Sequence, residues 1–183
     1  MSVENMKWDN QGISWVFEGN KITKNIDHVF FASVNKSENC VVVEAGLNFS
    51  QDQVYHLTFD GTPIFIVDKT AGKVCWKYQD KIVEIETCNI LNAQLYAEQG
   101  IVLIIIAINQ KDKLLKGFAL DGSLRFEKHP PEGFDFNYLT SNRNQPSVVC
   151  DGDDSNTDQY GRNSRHFIID SQTGDLLKEN LAY

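Results

Sequence analysis

The segment 151–158 (DGDDSNTD) holds the side chains of this chain whose spacing comes closest to a known chemistry. Oxygen-bearing side chains recur at positions 151, 153, 155 and 157, the alternation found in calcium-binding loops. An EF-hand loop also needs glycine at its sixth position and glutamate at its twelfth, where this chain has Asn156 and Arg162. A solvated acidic loop therefore fits the segment better than a calcium site, and we predict no metal site.

The same loop is the best candidate for contact with another protein. Loops on a rigid β scaffold carry recognition in many proteins, and this one combines carboxylates with a tyrosine and an arginine. The candidate partner-binding residues are Asp151, Asp153, Asp154, Asp158, Tyr160 and Arg162. A passive surface loop is the competing interpretation.

The histidines and cysteines show no pattern of metal ligation. His28, His56, His129 and His166 lie far apart in the sequence, and three of them fall in or beside predicted strands, where a hydrogen-bonded structural histidine is expected. The cysteines are widely spaced, lack a C-x-x-C pair and mostly fall inside apolar runs, which predicts reduced, buried thiols. They are Cys40, Cys75, Cys88 and Cys150.

Catalytic and cofactor signatures are missing from the sequence. It contains no G-x-S-x-G elbow, no P-loop and no dinucleotide fingerprint. We therefore predict no catalytic residue and no cofactor, and we do not expect an enzyme.

Charge and hydropathy restrict the partners. The formal net charge is −8 and the pI is near 4.9, which argues against nucleic-acid binding because phosphates require a basic patch. The N-terminal segment MSVENMKWDNQ lacks a basic and an apolar region, so no secretory signal is expected. The most apolar run, residues 101–108, is too short to span a bilayer. These features predict a cytoplasmic protein without a membrane partner.

The elements that must position these residues are strands. Residues 54–78 contain three apolar runs separated by two turns, the first of which is Asp60-Gly61, a strong hairpin signal. Comparable runs along the chain predict about a dozen short antiparallel strands. Residues 101–108 read as a strand buried on both faces, whereas residues 90–99 fit a short helix or a strand equally well. Residues 47–53, 128–146 and 151–164 are predicted loops, and the second has room for one short strand around Phe136–Thr140.

Turn signals recur at intervals typical of a β-repeat. Asp9, Asp68, Asp121 and Asp170 each open a turn that contains a glycine, and they are 59, 53 and 49 residues apart. In such a turn the aspartate bonds to its own backbone two residues on, and the glycine takes a positive φ. The spacing predicts a single β-repeat domain over residues 1–183, with three to four meander units.

Residues 54–78 resemble the repeat of pyrroloquinoline-quinone-type (quinoprotein-like) β-propellers. The matching residues are Val54, Tyr55, Asp60, Gly61, Asp68, Gly72, Lys73, Trp76 and Tyr78, and Ala71 stands where the repeat has threonine. The resemblance implies an all-β, propeller-like or partial-propeller fold and gives structural roles to Asp60, Gly61, Asp68, Gly72 and Trp76. It does not imply the quinone, since the enzymes of that family are much longer chains.

The function expected from the sequence is that of a non-catalytic protein-binding module with an acidic surface. Its sharper form is an inhibitor or immunity protein that neutralises a basic toxin by charge complementarity. One alternative is a ligand-binding or hydrolytic domain that uses the central cavity of a ring. Another is a homo-oligomeric scaffold in which exposed edge strands pair across subunits.

Overall fold

The computed structural model describes residues 2–182, and strands dominate this part of the chain. It contains seventeen strands and two single-turn 3-10 helices, Leu47–Phe49 and Asp154–Asn156. The strands form four antiparallel sheets, and in each sheet the spatial order follows the chain order. The predicted all-β fold of antiparallel meander repeats is therefore confirmed.

The chain divides into two compact units, and the first is Met1–Glu86. It contains a three-stranded sheet, β1 to β3, and a six-stranded sheet, β4 to β9. These strands are β1 (Glu4–Asp9), β2 (Gly12–Phe17), β3 (Asn20–Lys24), β4 (Val29–Asn35), β5 (Cys40–Ala45), β6 (Gln53–Thr58), β7 (Pro63–Asp68), β8 (Lys73–Tyr78) and β9 (Lys81–Glu86).

The second compact unit is Thr87–Tyr183, and its two sheets have four strands each. The strands are β10 (Ile90–Tyr96), β11 (Ile101–Ala107), β12 (Lys113–Ala119), β13 (Leu124–Lys128), β14 (Phe134–Asn142), β15 (Gln145–Gly152), β16 (Ser164–Ile169) and β17 (Leu176–Leu181). That the two units act as the single domain predicted from the sequence stays a prediction.

Two segments show how pairing decides the secondary structure. Residues 90–99, for which the sequence allows a helix or a strand, contain the strand β10, which pairs antiparallel with β11 along nearly its whole length. The first five residues of β11 are fully buried, as predicted for a strand covered on both faces. Residues 128–146, predicted as a loop with one short strand, instead contain the nine-residue β14 and the start of β15, joined at Arg143 and Asn144 in positive φ.

Aspartates cap the four recurring turns as predicted. In each turn the aspartate Oδ1 accepts at least one backbone N–H from two or three residues further on, at 2.8 to 3.2 Å. These aspartates are Asp9, Asp68, Asp121 and Asp170. The turns are thus held by local side-chain to backbone bonds.

The turn at Asp60, and not the turn at Asp68, occupies the same place in its sheet as the turns at Asp121 and Asp170. The Asp60-Gly61 turn joins β6 to β7, the third and fourth strands of their sheet, and the Asp121 and Asp170 turns join the third and fourth strands of theirs. The backbone closes the two Asp-Gly turns identically, with bonds from the glycine N–H of 2.8 and 2.9 Å. The Asp68 turn lies one hairpin later, between β7 and β8, because that sheet has two additional strands.

Close-approaching glycines pack a turn of one sheet against the last strand of the preceding sheet. In the first unit, a Cβ on Gly61 would lie 2.7 Å from a methyl carbon of Ile22 in β3. In the second unit, a Cβ on Gly174 would lie 2.4 Å from the ring of Phe126 in β13. Both glycines have positive φ, 87° and 75°. Glycine is therefore required at these turns for conformation and for space.

Tryptophans fill the core of the first unit. Trp15 is buried on β2, and its indole Nε1 donates to the Phe59 carbonyl at 2.6 Å. Trp76 is only 1% exposed and lies opposite Phe65 in the β7–β8 pair. This burial agrees with the structural role that the repeat resemblance gives to Trp76.

Candidate partner-binding loop

The candidate residues lie in one connection of the second unit. Residues 151–164, here called the acidic loop, include the end of β15, the 3-10 turn Asp154–Asn156 and the start of β16. β14, β15 and β16 pair side by side, so the loop is held at both ends by sheet hydrogen bonds.

The base of the acidic loop is attached to the segment before β14. The Asp153 N–H and the Asn156 Nδ2 both donate to the Gly133 carbonyl, at 2.9 and 3.1 Å. At the other end, the Asn163 Nδ2 donates to the Gly152 carbonyl at 2.6 Å. The adjoining Phe134 ring packs edge-on against Phe167, with centroids 5.1 Å apart. These contacts fix the loop on the core of the unit.

Asp153 caps the 3-10 turn. Its Oδ1 accepts the N–H groups of Ser155 and Asn156 at 3.0 and 3.2 Å and the Ser155 hydroxyl at 2.6 Å. The hydrogen bonds from the Ser155 and Asn156 side chains, helped by these backbone N–H groups, lower the pKa of Asp153. Asp153 therefore organises the loop as the capping aspartates organise the repeat turns.

Asp158 and Arg162 form an ion pair within the acidic loop. The Arg162 guanidinium donates twice to Asp158 Oδ2, from Nε at 2.8 Å and from Nη2 at 2.7 Å. Asp158 Oδ1 accepts the backbone N–H groups of Tyr160 and Arg162 at 2.8 and 3.0 Å. The Arg162 hydrogen bonds and the backbone donors lower the pKa of Asp158 to about 2.

Asp151 is held by cross-strand neighbours. Its carboxylate accepts hydrogen bonds from Asn137 at 2.8 Å and from the Ser164 hydroxyl at 2.6 Å. Asp135 lies directly opposite on β14, and Lys113 forms an ion pair with Asp135 at 2.6 Å. That ion pair offsets the repulsion between the two facing carboxylates.

The acidic loop does not assemble the ligand set of a calcium site. Asp151, Asp153 and Asp158 each receive N–H or O–H donors from separate partners, whereas calcium ligands must converge on one point. Within residues 2–182, no three carboxylates of the loop have oxygens within 4.8 Å of one another. The geometry thus gives no support to calcium binding by this loop.

Tyr160 is the one aromatic residue of the acidic loop, and its side chain is strongly exposed. It is 73% exposed, and the Arg162 guanidinium lies 5.1 Å from the centre of its ring. This distance allows a cation–π contact. The structure therefore brings Asp158, Tyr160 and Arg162 together, and Asp154 lies exposed on the preceding turn.

A recess adjoins the acidic loop on the side of Gly133. Its volume is about 350 Å³, and its lining includes Lys111, His129 and Glu132. Side chains of both charges thus surround a space large enough for a partner's polar side chain.

The two units are equally acidic, but negative charge is concentrated in the acidic loop. Residues 1–86 contain twelve acidic and eight basic side chains, and residues 87–183 contain thirteen and nine. Each unit therefore has a net charge of −4. Within residues 151–162, by contrast, four aspartates stand against a single arginine.

Two features of the first unit were missed in the sequence. Residues 47–53 form a loop, as predicted, but two apolar side chains in it, Leu47 and Phe49, are strongly exposed. Phe49 also has a positive φ of 62°. In addition, Glu38, Cys40 and His56 bring three ligand-type side chains together. Their sequence spacing gives no signal, because only the pairing of β5 with β6 makes them neighbours.

Comparison with known proteins identifies no family. No protein-family model matches the chain, and no curated protein matches it. The resemblance to quinoprotein-like repeats thus stays a prediction. No helix within residues 2–182 is long and apolar enough to cross a membrane.

Some solved structures are distantly similar. A provisionally assigned 6-phosphogluconolactonase from Bacteroides fragilis is 9% identical, with 94% of this chain and 67% of that chain covered, at a TM-score of 0.44. A protein of unknown function from Bacteroides caccae is 11% identical over 98% and 57% of the two chains, at 0.36. A functionally unknown protein from Desulfotomaculum acetoxidans is 14% identical over 93% and 47%, at 0.39.

This chain thus spans between about half and two thirds of the length of those three proteins. The TM-scores are too low to support a statement about shared fold or function.

Proposed function

We propose that this protein is a non-catalytic protein-binding module and that the acidic loop contacts a partner with a basic surface. The observation that carries the proposal is an exposed aromatic side chain on a loop whose backbone is held in place by hydrogen bonds to its aspartates. Tyr160 is 73% exposed, whereas Asp153 and Asp158 are tied to the loop backbone.

Fixed geometry favours binding because it lowers the entropy lost on association. A loop that is ordered before binding does not pay again for immobilising its backbone and side chains. Tyrosine and arginine, together with tryptophan, are enriched among the residues that dominate interface energies. Here the Tyr160 and Arg162 side chains are in contact.

The charge of the loop determines the class of partner. Asp151, Asp153 and Asp154 add negative charge to the loop that carries Tyr160. A basic surface on the partner would be attracted to this patch and would bind faster at low ionic strength. The sharper form of the proposal is an inhibitor or immunity protein that blocks a basic toxin, such as a nuclease.

A capture experiment with matched variants tests the proposal. The immobilised full chain is exposed to an extract of its source cells, and any retained protein is purified and titrated against the chain by calorimetry. We compare the wild type with the Tyr160→Ala/Asp154→Asn double variant, and with Leu124→Ala as a control at an exposed β13 position.

The expected result is a basic partner whose affinity falls at least tenfold in the double variant and falls further with rising salt. The Leu124 control should bind as the wild type does. Equal binding by the double variant, or binding that is insensitive to salt, would contradict the proposal.

An activity assay tests the sharper form separately. If the retained partner is a nuclease or another toxic enzyme, one equivalent of wild-type chain should suppress its activity and the double variant should not. Full partner activity in the saturated complex would remove the inhibitor role and leave the binding role standing.

A further inference from the structure

Three side chains of types that commonly bind metal ions lie together at one end of the six-stranded sheet. Glu38 lies in the turn between β4 and β5, Cys40 is the first residue of β5, and His56 lies on β6. β5 and β6 pair so that Cys40 faces Thr58 and Val42 faces His56. Alternation along strands therefore places Cys40 and His56 on the same face of the sheet.

Local contacts order the turn that carries Glu38 and the ring of His56. The Asn35 Oδ1 accepts the backbone N–H groups of Ser37 and Glu38, both at 3.2 Å, which fixes the turn that carries Glu38. The His56 ring packs edge-on against Phe65, with centroids 5.4 Å apart. The ligand atoms are thus presented by ordered backbone and not by a long flexible loop.

The distances between the ligand atoms are close to those of a metal site. Glu38 Oε2 lies 3.7 Å from His56 Nδ1 and 3.9 Å from Cys40 Sγ. All three ligand atoms lie within 4.8 Å of one another. In a tetrahedral zinc site, bonds of 2.0 to 2.3 Å place neighbouring ligand atoms roughly 3.3 to 3.6 Å apart. Small side-chain movements would close this difference.

We propose that Glu38, Cys40 and His56 form a binding site for one Zn²⁺ ion, with a fourth coordination position for water. Thiolate, imidazole and carboxylate are the three protein ligand types that zinc uses. A hard cation such as calcium or magnesium requires oxygen ligands, so the thiol and imidazole disfavour both.

Access to the site is through Glu38 and His56. The Glu38 side chain is exposed and the His56 side chain is 16% exposed, whereas Cys40 is buried. Burial, with the nearby Glu38 carboxylate, raises the pKa of the Cys40 thiol to about 12. The metal-free thiol is therefore protonated, and zinc binding would form the Zn–S bond with release of this proton to water.

A second cysteine in the same sheet provides a natural contrast. The Cys75 thiol lies 3.5 Å from a Glu84 oxygen, which repeats the cysteine–carboxylate contact. The third group there is the Lys73 ammonium, 2.8 Å from Glu84. An ammonium ion cannot bind a metal, so Cys75 and Glu84 form only a hydrogen-bonded pair. A histidine in the third place is what distinguishes the Cys40 cluster.

Cobalt titration of the reduced full chain tests the proposal. Co²⁺ reports thiolate ligation by a charge-transfer band in the near ultraviolet and tetrahedral geometry by visible bands. We expect both bands to saturate at one equivalent, and one equivalent of Zn²⁺ to abolish them. Zn²⁺ alone should raise the Tm, since it binds the folded state.

Variants locate the site. Cys40→Ser should abolish the charge-transfer band, and His56→Asn and Glu38→Gln should each weaken Co²⁺ binding at least tenfold. Cys75→Ser and Cys88→Ser are matched controls that should leave the spectrum and the affinity unchanged. If Cys40→Ser does not fold, the exposed Glu38→Gln change still decides the outcome.

Two results would overturn the proposal. One is the absence of a charge-transfer band in the wild type at millimolar Co²⁺. The other is a Co²⁺ affinity that is unchanged in the Glu38→Gln and His56→Asn variants, or a band that disappears in a control variant. In either case Glu38, Cys40 and His56 would be an internal hydrogen-bonded cluster only.

Discussion

Asp170 in a repeat turn and Asp153 in the acidic loop each accept two backbone N–H groups from the residues that follow. Their surroundings differ. The Asp170 turn ends at Gly174, which approaches the Phe126 ring, whereas a Cβ on Gly161 in the acidic loop would meet nothing within 4 Å. The same capping chemistry therefore packs one segment into the core and presents the other to solvent. A capped turn alone does not indicate function.

The largest expected effect is on the buried aromatic residues of the repeat. Trp76→Ala should lower the free energy of unfolding by about 3–5 kcal/mol, because it removes a fully buried indole. Trp8→Ala is the matched control, and it should cost at most about 1.5 kcal/mol since Trp8 is 41% exposed. Urea unfolding measures both. Equal losses of unfolding free energy in the two variants would show that Trp76 does not support the sheet packing.

The glycine pair isolates the effect of close packing. Gly161 and Gly174 have nearly the same φ, 77° and 75°, so alanine meets the same backbone strain at both, about 1–2 kcal/mol. Gly174→Ala must also displace the Phe126 ring, which should add about 1–3 kcal/mol. Thermal unfolding of the two variants gives the difference. Similar losses would mean that the Gly174 turn has room to relax.

Adjacent aspartates in the acidic loop separate structure from recognition. Asp153→Ala removes the cap of the 3-10 turn and should lower the Tm in thermal unfolding. Asp154→Ala changes an exposed side chain and should leave the Tm close to that of the wild type. If Asp154→Ala destabilised the protein more than Asp153→Ala does, the capping role of Asp153 would be wrong.

Sequence reasoning succeeded where structure is determined locally. The Asp60-Gly61 and Asp121-Gly122 turns and the buried strand β11 follow from neighbouring residues alone. It left β10 open because Leu91, Ala93 and Gln94 favour helices, and pairing with β11 overrides this preference.

The candidate sites depend on strand register to different degrees. The Asp158–Arg162 contact is nearly local, and both residues were among the candidates. Glu38 and His56 come together only because β5 pairs with β6 in one register. A register is fixed by the whole sheet, so residue spacing could not reveal this cluster.

The smallest effect is expected from pH. Asp158 has a pKa of about 2 in the folded protein, below the roughly 3.9 of an unfolded chain. Its contacts therefore stabilise the loop fully above the unfolded value and are lost as the pH falls through about 2. Carboxyl NMR titration should show this low pKa, and Arg162→Gln should raise it. An unchanged pKa in that variant would show that Arg162 is not its cause.

Photo-crosslinking in cells tests most directly whether recognition belongs to the acidic loop and not to the repeat. A photoreactive phenylalanine analogue is placed at position 160, or as a control at position 124, where Leu124 is 51% exposed on β13. We predict that position 160 gives one abundant adduct with a basic protein and that position 124 does not. The same adduct from both positions, or an adduct only from position 124, would contradict the account.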